Sequence, residues 1–489
     1  MTQTSIKKNT IYSAIKTVSS IAFPLITFPY INRVLQPENV GKVNFGLSIV
    51  SYFSLIASLG ISTYAIRECS AVRTDKEKLS NLASQIFSIN IVMTVIAYCA
   101  LAITLLLYRK LDNYRSLIII QSLSILATTL GADWLNSAME DFKYISIRSV
   151  GFQIISLALM FIFVRKPQDY MKYVIISLVS SAGASIVNIW YRRKYCKVGF
   201  VRNFQREIEW NKHMKPIMLL FVMILAQTIF NSVDSTMLGI IHGDREVGIY
   251  TTAHRISNII TQLITSLLWV IMPRMSYFFA KGDYTQINSL LRKVLGFNAL
   301  FGLPCAAGAF VLSDEIILIL AGSEYGESSA VLKILMIGFA FTLFGGSFLG
   351  NSVLLPAKKE KSFMIVCCAA AVINVITNYL FIPKYGAIAA AGTTALCAAM
   401  ILFMLLFSVD KKIKIERIGK LFYVPILGCA FIVMVCLACR AIQSLWLRTI
   451  LSITLATLIY FAVMYFGKNE IMVEFVNDIK KRILRRQHD

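Results

Sequence analysis

One arginine inside a long apolar stretch marks where this chain could do chemistry. Arg255 falls on a line with Thr251, Asn258, Gln262, Thr265 and Trp269, at successive spacings of 4, 3, 4, 3 and 4 residues. That period puts a guanidinium, two carboxamides and two hydroxyls on one face of a helix. Such a face can hold an anion through the guanidinium and a polyhydroxylated group through the amides and hydroxyls.

A charge at the centre of a bilayer costs about 2.5–3.5 kcal/mol on insertion scales, so Arg255 needs a counter-charge, water or a ligand. Asp234 lies ten residues before the turn near Asp244 and Arg255 eleven after it. At ~1.5 Å per residue both are expected about 15 Å into the membrane. They are expected to pair when no anion is present, with an anionic substrate competing for Arg255. Lys16 is a second internal cation, on a face with Ser20, Phe23, Thr27 and Tyr30, and it is close enough to one end of its stretch to snorkel. Asp133, beside Trp134, reads as interfacial and is a candidate for ion coupling.

The elements that position these residues are transmembrane helices. Of the 489 residues 57% are hydrophobic and only 15% charged, with a mean hydropathy of +0.67. A hydrocarbon core ~30 Å thick needs about 20 apolar residues per helix. The chain supplies that length about 14 times. The expected spans are 10–34, 41–66, 83–108, 115–137, 145–164, 170–191, 214–241, 247–275, 291–312, 329–355, 362–382, 387–408, 421–439 and 445–466. Pro24 and Pro29 should kink or break the first of these.

With an even number of spans, both termini lie on one side. Counting each span-end residue with its adjoining connection, 34 of the 49 Lys and Arg fall in the termini and even-numbered connections and 12 in the odd-numbered ones. The positive-inside rule then places both termini in the cytoplasm. The net charge of +23 is thereby a matter of topology, with no basic domain free to meet nucleic acid. The basic tail of Lys480, Lys481, Arg482, Arg485 and Arg486 can rest on anionic lipid. Ten cysteines sit mostly within spans, and Cys436 and Cys439 have no further ligands near them in sequence, so neither a metal nor another cofactor is expected. No Walker, zinc or nucleophile-elbow motif occurs, and no outward connection is long enough for an enzymatic domain. A transporter is expected, not an enzyme.

A shift of 207 residues lays spans 1 and 2 on spans 7 and 8, with Val40-Gly41 meeting Val247-Gly248. The polar line on span 8 then corresponds to Asn44, Ser48, Ser51, Leu55, Ser58 and Ser62 on span 2. Ser20, Pro24 and Thr27 correspond to Gln227, Asn231 and Asp234. The expected division is a first six-span lobe over 1–205, a second over 206–410, and two further spans with the tail over 411–489. Four polar faces could line one cavity, the alternative being polar contacts between packed helices.

These stretches also carry a resemblance. Arg33-Val-Leu-Gln-Pro-Glu-Asn-Val-Gly41, Tyr64-Ala-Ile-Arg67-Glu68, Asp133-Trp134 with Glu140-Asp-Phe-Lys-Tyr144, Asp234-Ser-Thr-Met-Leu-Gly239, Val247-Gly-Ile-Tyr-Thr-Thr-Ala253 and Pro273-Arg-Met-Ser276 occur in an order that resembles the polysaccharide transporter family of the multidrug/oligosaccharidyl-lipid/polysaccharide exporter superfamily. Gln36 departs from the family's usual glycine in a Leu-Gly-Pro loop. The resemblance implies an all-α polytopic membrane protein with two six-helix lobes in a V shape plus two C-terminal helices. It implies a flippase that moves undecaprenyl-pyrophosphate oligosaccharide to the outer leaflet of the cytoplasmic membrane of a bacterium or archaeon, for O-antigen, capsule or exopolysaccharide. Arg255 and Lys16 would then hold the pyrophosphate. Asn258, Gln262, Thr251, Asn231, Gln227, Ser20, Thr27, Asn44, Ser48 and Ser51 would face the glycan, and Asp234 and Asp133 would serve charge switching or ion coupling. Protons or sodium, membrane lipid, a polymerase and glycosyltransferases are the implied partners. By similarity to lipid-flipping relatives, spans 13 and 14 would form a groove for the lipid tail, beside a portal between spans 1 and 8. The alternatives are an ion-coupled drug or small-molecule exporter of the same superfamily, and a membrane scaffold for glycan enzymes.

Overall fold

The computed structural model describes residues 6–201, 208–266, 271–415 and 418–474. Among these residues it is all helix and turn, without strands. Ten helical stretches are long and apolar enough to cross a membrane. Two of them are double: Ile6–Ser58 covers the first expected span and most of the second, and Glu360–Leu406 the eleventh and nearly all of the twelfth. The other two expected spans are also helical. Arg115–Gly131 is only 17 residues long, and Asp244–Ser266 is too polar overall to register as a simple apolar span. The chain is an all-α multi-pass membrane protein.

The double helices are interrupted by backbone conformation. Ile6–Ser58 breaks at Gln36, with φ 63° and ψ 168°, a region that essentially only glycine occupies without strain. The following Pro37 favours the extended ψ. Pro24 and Pro29 lie within helical backbone, so neither breaks the helix. At the second interruption the chain has glycine, Gly386, at φ 54° and ψ −133°. Gln36 is exposed, so replacing it removes little packing. Gln36→Gly is therefore expected to raise thermal stability by about 1 kcal/mol, the strain relieved less the extra backbone entropy of glycine. Melting in detergent checks this, and a lower melting temperature would contradict it.

Several helices end on named local devices. Asp75 caps Lys76–Leu107 by accepting from the Glu77 and Lys78 amides, and Asp141 caps Phe142–Phe163 through the Tyr144 amide. Arg115–Gly131 stops at Ala132, whose φ is 50°. Span 2 is cut at Leu59 and Gly60, both at positive φ, and Ile61–Ala71 follows as a separate helix. π-helical turns interrupt spans 6, 9 and 10 at Val179–Gly183, Asn298–Gly302 and Leu343–Leu354.

The chain divides into two compact units, residues 1–248 and 249–489. In lipid there is little hydrophobic gain from joining helices, so close approach of small residues and buried hydrogen bonds hold them. In the second unit Gly338 and Gly345, seven residues apart, lie against Ala395 and Leu402, also seven apart. An added Cβ would sit 3.0 Å from the Cα of Ala395 and 2.9 Å from that of Leu402. In the first unit Asn90 donates to the Ala57 carbonyl at 2.7 Å, Gln121 to the Val43 carbonyl at 3.0 Å, and the Thr94 and Thr129 hydroxyls lie 2.8 Å apart. Each such polar contact contributes about 0.6 kcal/mol in a membrane.

Candidate functional site: the polar faces of spans 1, 2, 7 and 8

In the second unit, Asp244–Ser266 turns Tyr250, Ala253, Ile256 and Ser257 inward, all of them buried. Arg255, Asn258 and Gln262 are exposed on the opposite side, with Thr251 and Thr265 half-buried. The polar line read from the sequence is thus one real helix face, apart from Trp269, which lies outside the described residues. His254 joins that face: the Asn258 Nδ2 is 3.3 Å from its Nδ1, and its ring stacks on Tyr250 at 5.4 Å between centroids. A guanidinium exposed on a membrane helix requires a wet surface, because facing hydrocarbon would carry the full insertion cost.

In the first unit, the residues matched by the 207-residue shift have different surroundings. Lys16, Ser20, Gln227 and Asn231 are exposed. Thr27 is buried and donates to the Phe23 carbonyl at 3.0 Å, while the Ser20 hydroxyl donates to the Thr17 carbonyl at 2.7 Å. Asn44 is half-buried and donates to the Val40 carbonyl at 2.9 Å. Asp234 is buried on span 7. Ser48 and Ser51 meet span 7 directly: the Ser48 and Thr236 hydroxyls are 2.9 Å apart, those of Ser51 and Ser232 3.0 Å, and Tyr52 reaches Thr236 at 3.1 Å. These hydroxyls form a ladder between two helices. Ser232 and Thr236, four residues apart, were not singled out from the sequence, although their i,i+4 spacing is the signal that could have found them.

Above this ladder the backbones of the first and seventh connections touch. A Cβ on Gly41 would overlap the Asp244 carbonyl and lie 2.9 Å from the Gly248 nitrogen. One on Gly248 would overlap the Pro37 carbonyl and lie 3.0 Å from the Pro37 Cα. Pro37 and Asp244, like Gly41 and Gly248, are 207 residues apart, so the contact is self-complementary in the register of the repeat. The Tyr114 hydroxyl donates to Asp244 Oδ1 at 2.6 Å. Burial holds the Asp244 carboxyl above its ordinary pKa, against the opposing effects of Tyr114 and Lys42.

Asp133 is set among spans 4, 5 and 6. It accepts from Arg148 Nη1 at 3.0 Å and from the Ser185 hydroxyl at 3.2 Å, and the Arg148 guanidinium lies over the Tyr144 ring at 5.1 Å. Tyr144 stacks on Tyr191, and the Tyr191 and Tyr195 hydroxyls both donate to Asp141. Burial works against ionisation of Asp141, but the two tyrosine hydroxyls and the Tyr144 amide outweigh it and hold the carboxyl below its ordinary value.

A further buried polar group was not anticipated from the sequence. In spans 11 and 12, Asn378 donates to Asn374 Oδ1 at 3.2 Å and the Thr393 hydroxyl donates to Asn378 Oδ1. Both asparagines are fully buried. Two asparagines four residues apart in an apolar span were the available signal.

The sequence matches the polysaccharide biosynthesis protein family over residues 6–279 and the MatE family over residues 219–380. A protein of Escherichia coli K12 provisionally named an O-antigen transporter is 23% identical over 413 residues, covering 83% of this chain and 97% of that one. The capsular polysaccharide biosynthesis protein CapF of Staphylococcus aureus is 24% identical over 401 residues, covering 79% and 94%. In fold, the chain is similar to the lipid II flippase MurJ in an inward closed conformation, with a TM-score of 0.75, 18% identity, and coverage of 94% of this chain and 99% of that one. With its transmembrane helices and a family match that runs through spans 1 to 8, the chain belongs to the polysaccharide biosynthesis protein family.

Proposed function

We propose that this protein is a flippase for lipid-linked oligosaccharide, carrying an undecaprenyl-pyrophosphate glycan from the inner to the outer leaflet of the cytoplasmic membrane by alternating access. The observation that carries this reading is the exposed face of Arg255, Asn258 and Gln262 on a membrane helix. A pyrophosphate needs a fixed cation, and a glycan needs amides and hydroxyls. The relatives named for O-antigen transport and capsule biosynthesis support the same cargo class. In this reading both termini are cytoplasmic, and Arg255 holds the pyrophosphate with Lys16 as a second cation. Asn231, Gln227, Ser20 and Thr251 serve the glycan together with Asn258 and Gln262. Glycosyltransferases supply the cargo and a polymerase receives it. The reaction is transport, with no covalent step.

A flippase must also release its cargo. Asp234, buried on span 7, is our proposed charge switch, opposing retention of the anion and able to take up a coupling proton or sodium ion. Asp234→Asn is expected to tighten binding of the pyrophosphate lipid on the order of tenfold, about 1.4 kcal/mol, and to slow turnover. Equilibrium binding and initial flipping rates measured on one preparation test this. If both stay at wild-type values, Asp234 is not the switch.

A further inference from the structure

We propose that the cytoplasmic half of the seam between spans 13 and 14 is a binding site for an anionic diacyl phospholipid of the inner leaflet, distinct from the transported cargo. The two helices, Ile418–Cys439 and Leu445–Phe466, run antiparallel. Glycines bring them close: a Cβ on Gly428 would lie 2.7 Å from the Tyr460 ring, and one on Gly467 2.6 Å from Val424. Beside this contact is a cavity of about 980 Å³ with walls that include Leu427, Phe431, Ile459 and Phe466. Lys420 and Lys468 line the same cavity, together with Glu470.

Length sets the depth, and the positive-inside orientation puts the lysine end at the inner leaflet. From Lys420 to Phe431 the helix rises about 16 Å at ~1.5 Å per residue, which is about half of a ~30 Å hydrocarbon core. The groove is therefore one leaflet deep, suited to acyl chains whose headgroup stays at the lysine end. The sequence resemblance implies a groove here for the tail of the carrier. A groove this shallow, with cations at its mouth, fits a lipid resident in one leaflet.

Charge identifies the headgroup. Glu470 is already bonded to Arg292 Nη2 at 2.7 Å and Nε at 3.1 Å, so it does not neutralise the lysines. Among the described residues neither Lys420 nor Lys468 has an ion-pair partner. Lys468 is fixed by the turn that ends span 14: its amide donates to the Tyr465 carbonyl at 3.1 Å, and the next amide donates to the Met464 carbonyl at 3.0 Å. Two exposed ammonium groups at the headgroup level of an apolar groove fit a phosphodiester carrying net negative charge.

The test is native mass spectrometry and thermal melting of the full chain in non-ionic detergent. The probes are dioleoyl phosphatidylglycerol, phosphatidylcholine with the same chains, and undecaprenyl monophosphate. Phosphatidylglycerol should bind and raise the melting temperature, phosphatidylcholine should do neither, and Lys420→Gln with Lys468→Gln should weaken phosphatidylglycerol roughly 30-fold. Ala462→Trp, which fills the groove and keeps both lysines, should also lose it. Equal binding of the two phospholipids, or unchanged affinity in both variants, would overturn the proposal. So would displacement of phosphatidylglycerol by equimolar undecaprenyl monophosphate, which would give the groove to the carrier. Cargo binding at Arg255 does not enter any of these readouts.

Discussion

Gly41→Ala is expected to cost about 3 kcal/mol and to abolish transport, while Gly151→Ala is expected to do neither. Overpacking a close contact costs about 1–3 kcal/mol and sometimes more. At Gly41 the obstruction is the Asp244 backbone, with its carbonyl carbon 2.6 Å from the added Cβ, so no side chain can swing aside. Gly248→Ala meets the Pro37 backbone in the same way, with the carbonyl carbon at 2.7 Å. Because the two contacts are equivalent, the substitutions should have similar effects, and the double variant should lose less than the sum, since either one alone already opens the contact. A loss of 3 kcal/mol shifts a two-state equilibrium by roughly two orders of magnitude. Gly151 has nothing within 4 Å of its missing Cβ, which makes it the control. Thermal melting and initial flipping rates, measured together, separate the two consequences. Wild-type values for Gly41→Ala in both would mean that the contact carries no weight.

The second large effect is expected at Arg255. Its helix is fixed by a buried face of Tyr250, Ala253 and Ser257, and near its buried N-terminal end by the Ser328 hydroxyl donating to the Ile249 carbonyl at 2.9 Å. Removing an exposed side chain from the other face leaves that packing intact. Arg255→Ala should therefore keep the buried packing of this helix while losing affinity for the pyrophosphate lipid on the order of 30- to 100-fold, the value of charge-assisted hydrogen bonds from one guanidinium. Arg255→Lys keeps the charge without the planar fork and should fall between that variant and wild type. Asn258→Ala and Gln262→Ala should each weaken binding only several-fold and depend on the glycan. Binding of a fluorescent pyrophosphate lipid in detergent reads all four variants.

Helix positions were legible in the sequence because bilayer thickness fixes a length and hydropathy reveals it. The polar face of span 8 was legible for a related reason: a helix with one wet face must repeat near 3.6 residues. Partners across helices were not legible. Ser48 and Ser51 read as a polar line, and only the fold shows that Ser232 and Thr236 cover part of it. Asp133 was visible as an ionisable residue beside Trp134, but its pairing with Arg148 depends on how the chain turns at Ala132 and Glu140, both at positive φ. The break between spans 1 and 2 was legible from hydropathy and from the glycine that the resembled family has where this chain has Gln36, and the backbone does break there, at φ 63°, although glutamine by itself gives no sign of that conformation. Pro24 and Pro29 were expected to kink or break the helix, and its backbone dihedrals stay helical through both.

Transport of a pyrophosphate lipid along the Arg255 face is read out by flipping itself. A fluorescent undecaprenyl-pyrophosphate glycan is placed in proteoliposomes containing equal amounts of folded wild type or Arg255→Ala, with protein-free liposomes alongside. Rapid transfer between leaflets is expected with wild type and a protein-free rate with Arg255→Ala. Wild type no faster than protein-free liposomes, or Arg255→Ala as fast as wild type, would contradict it.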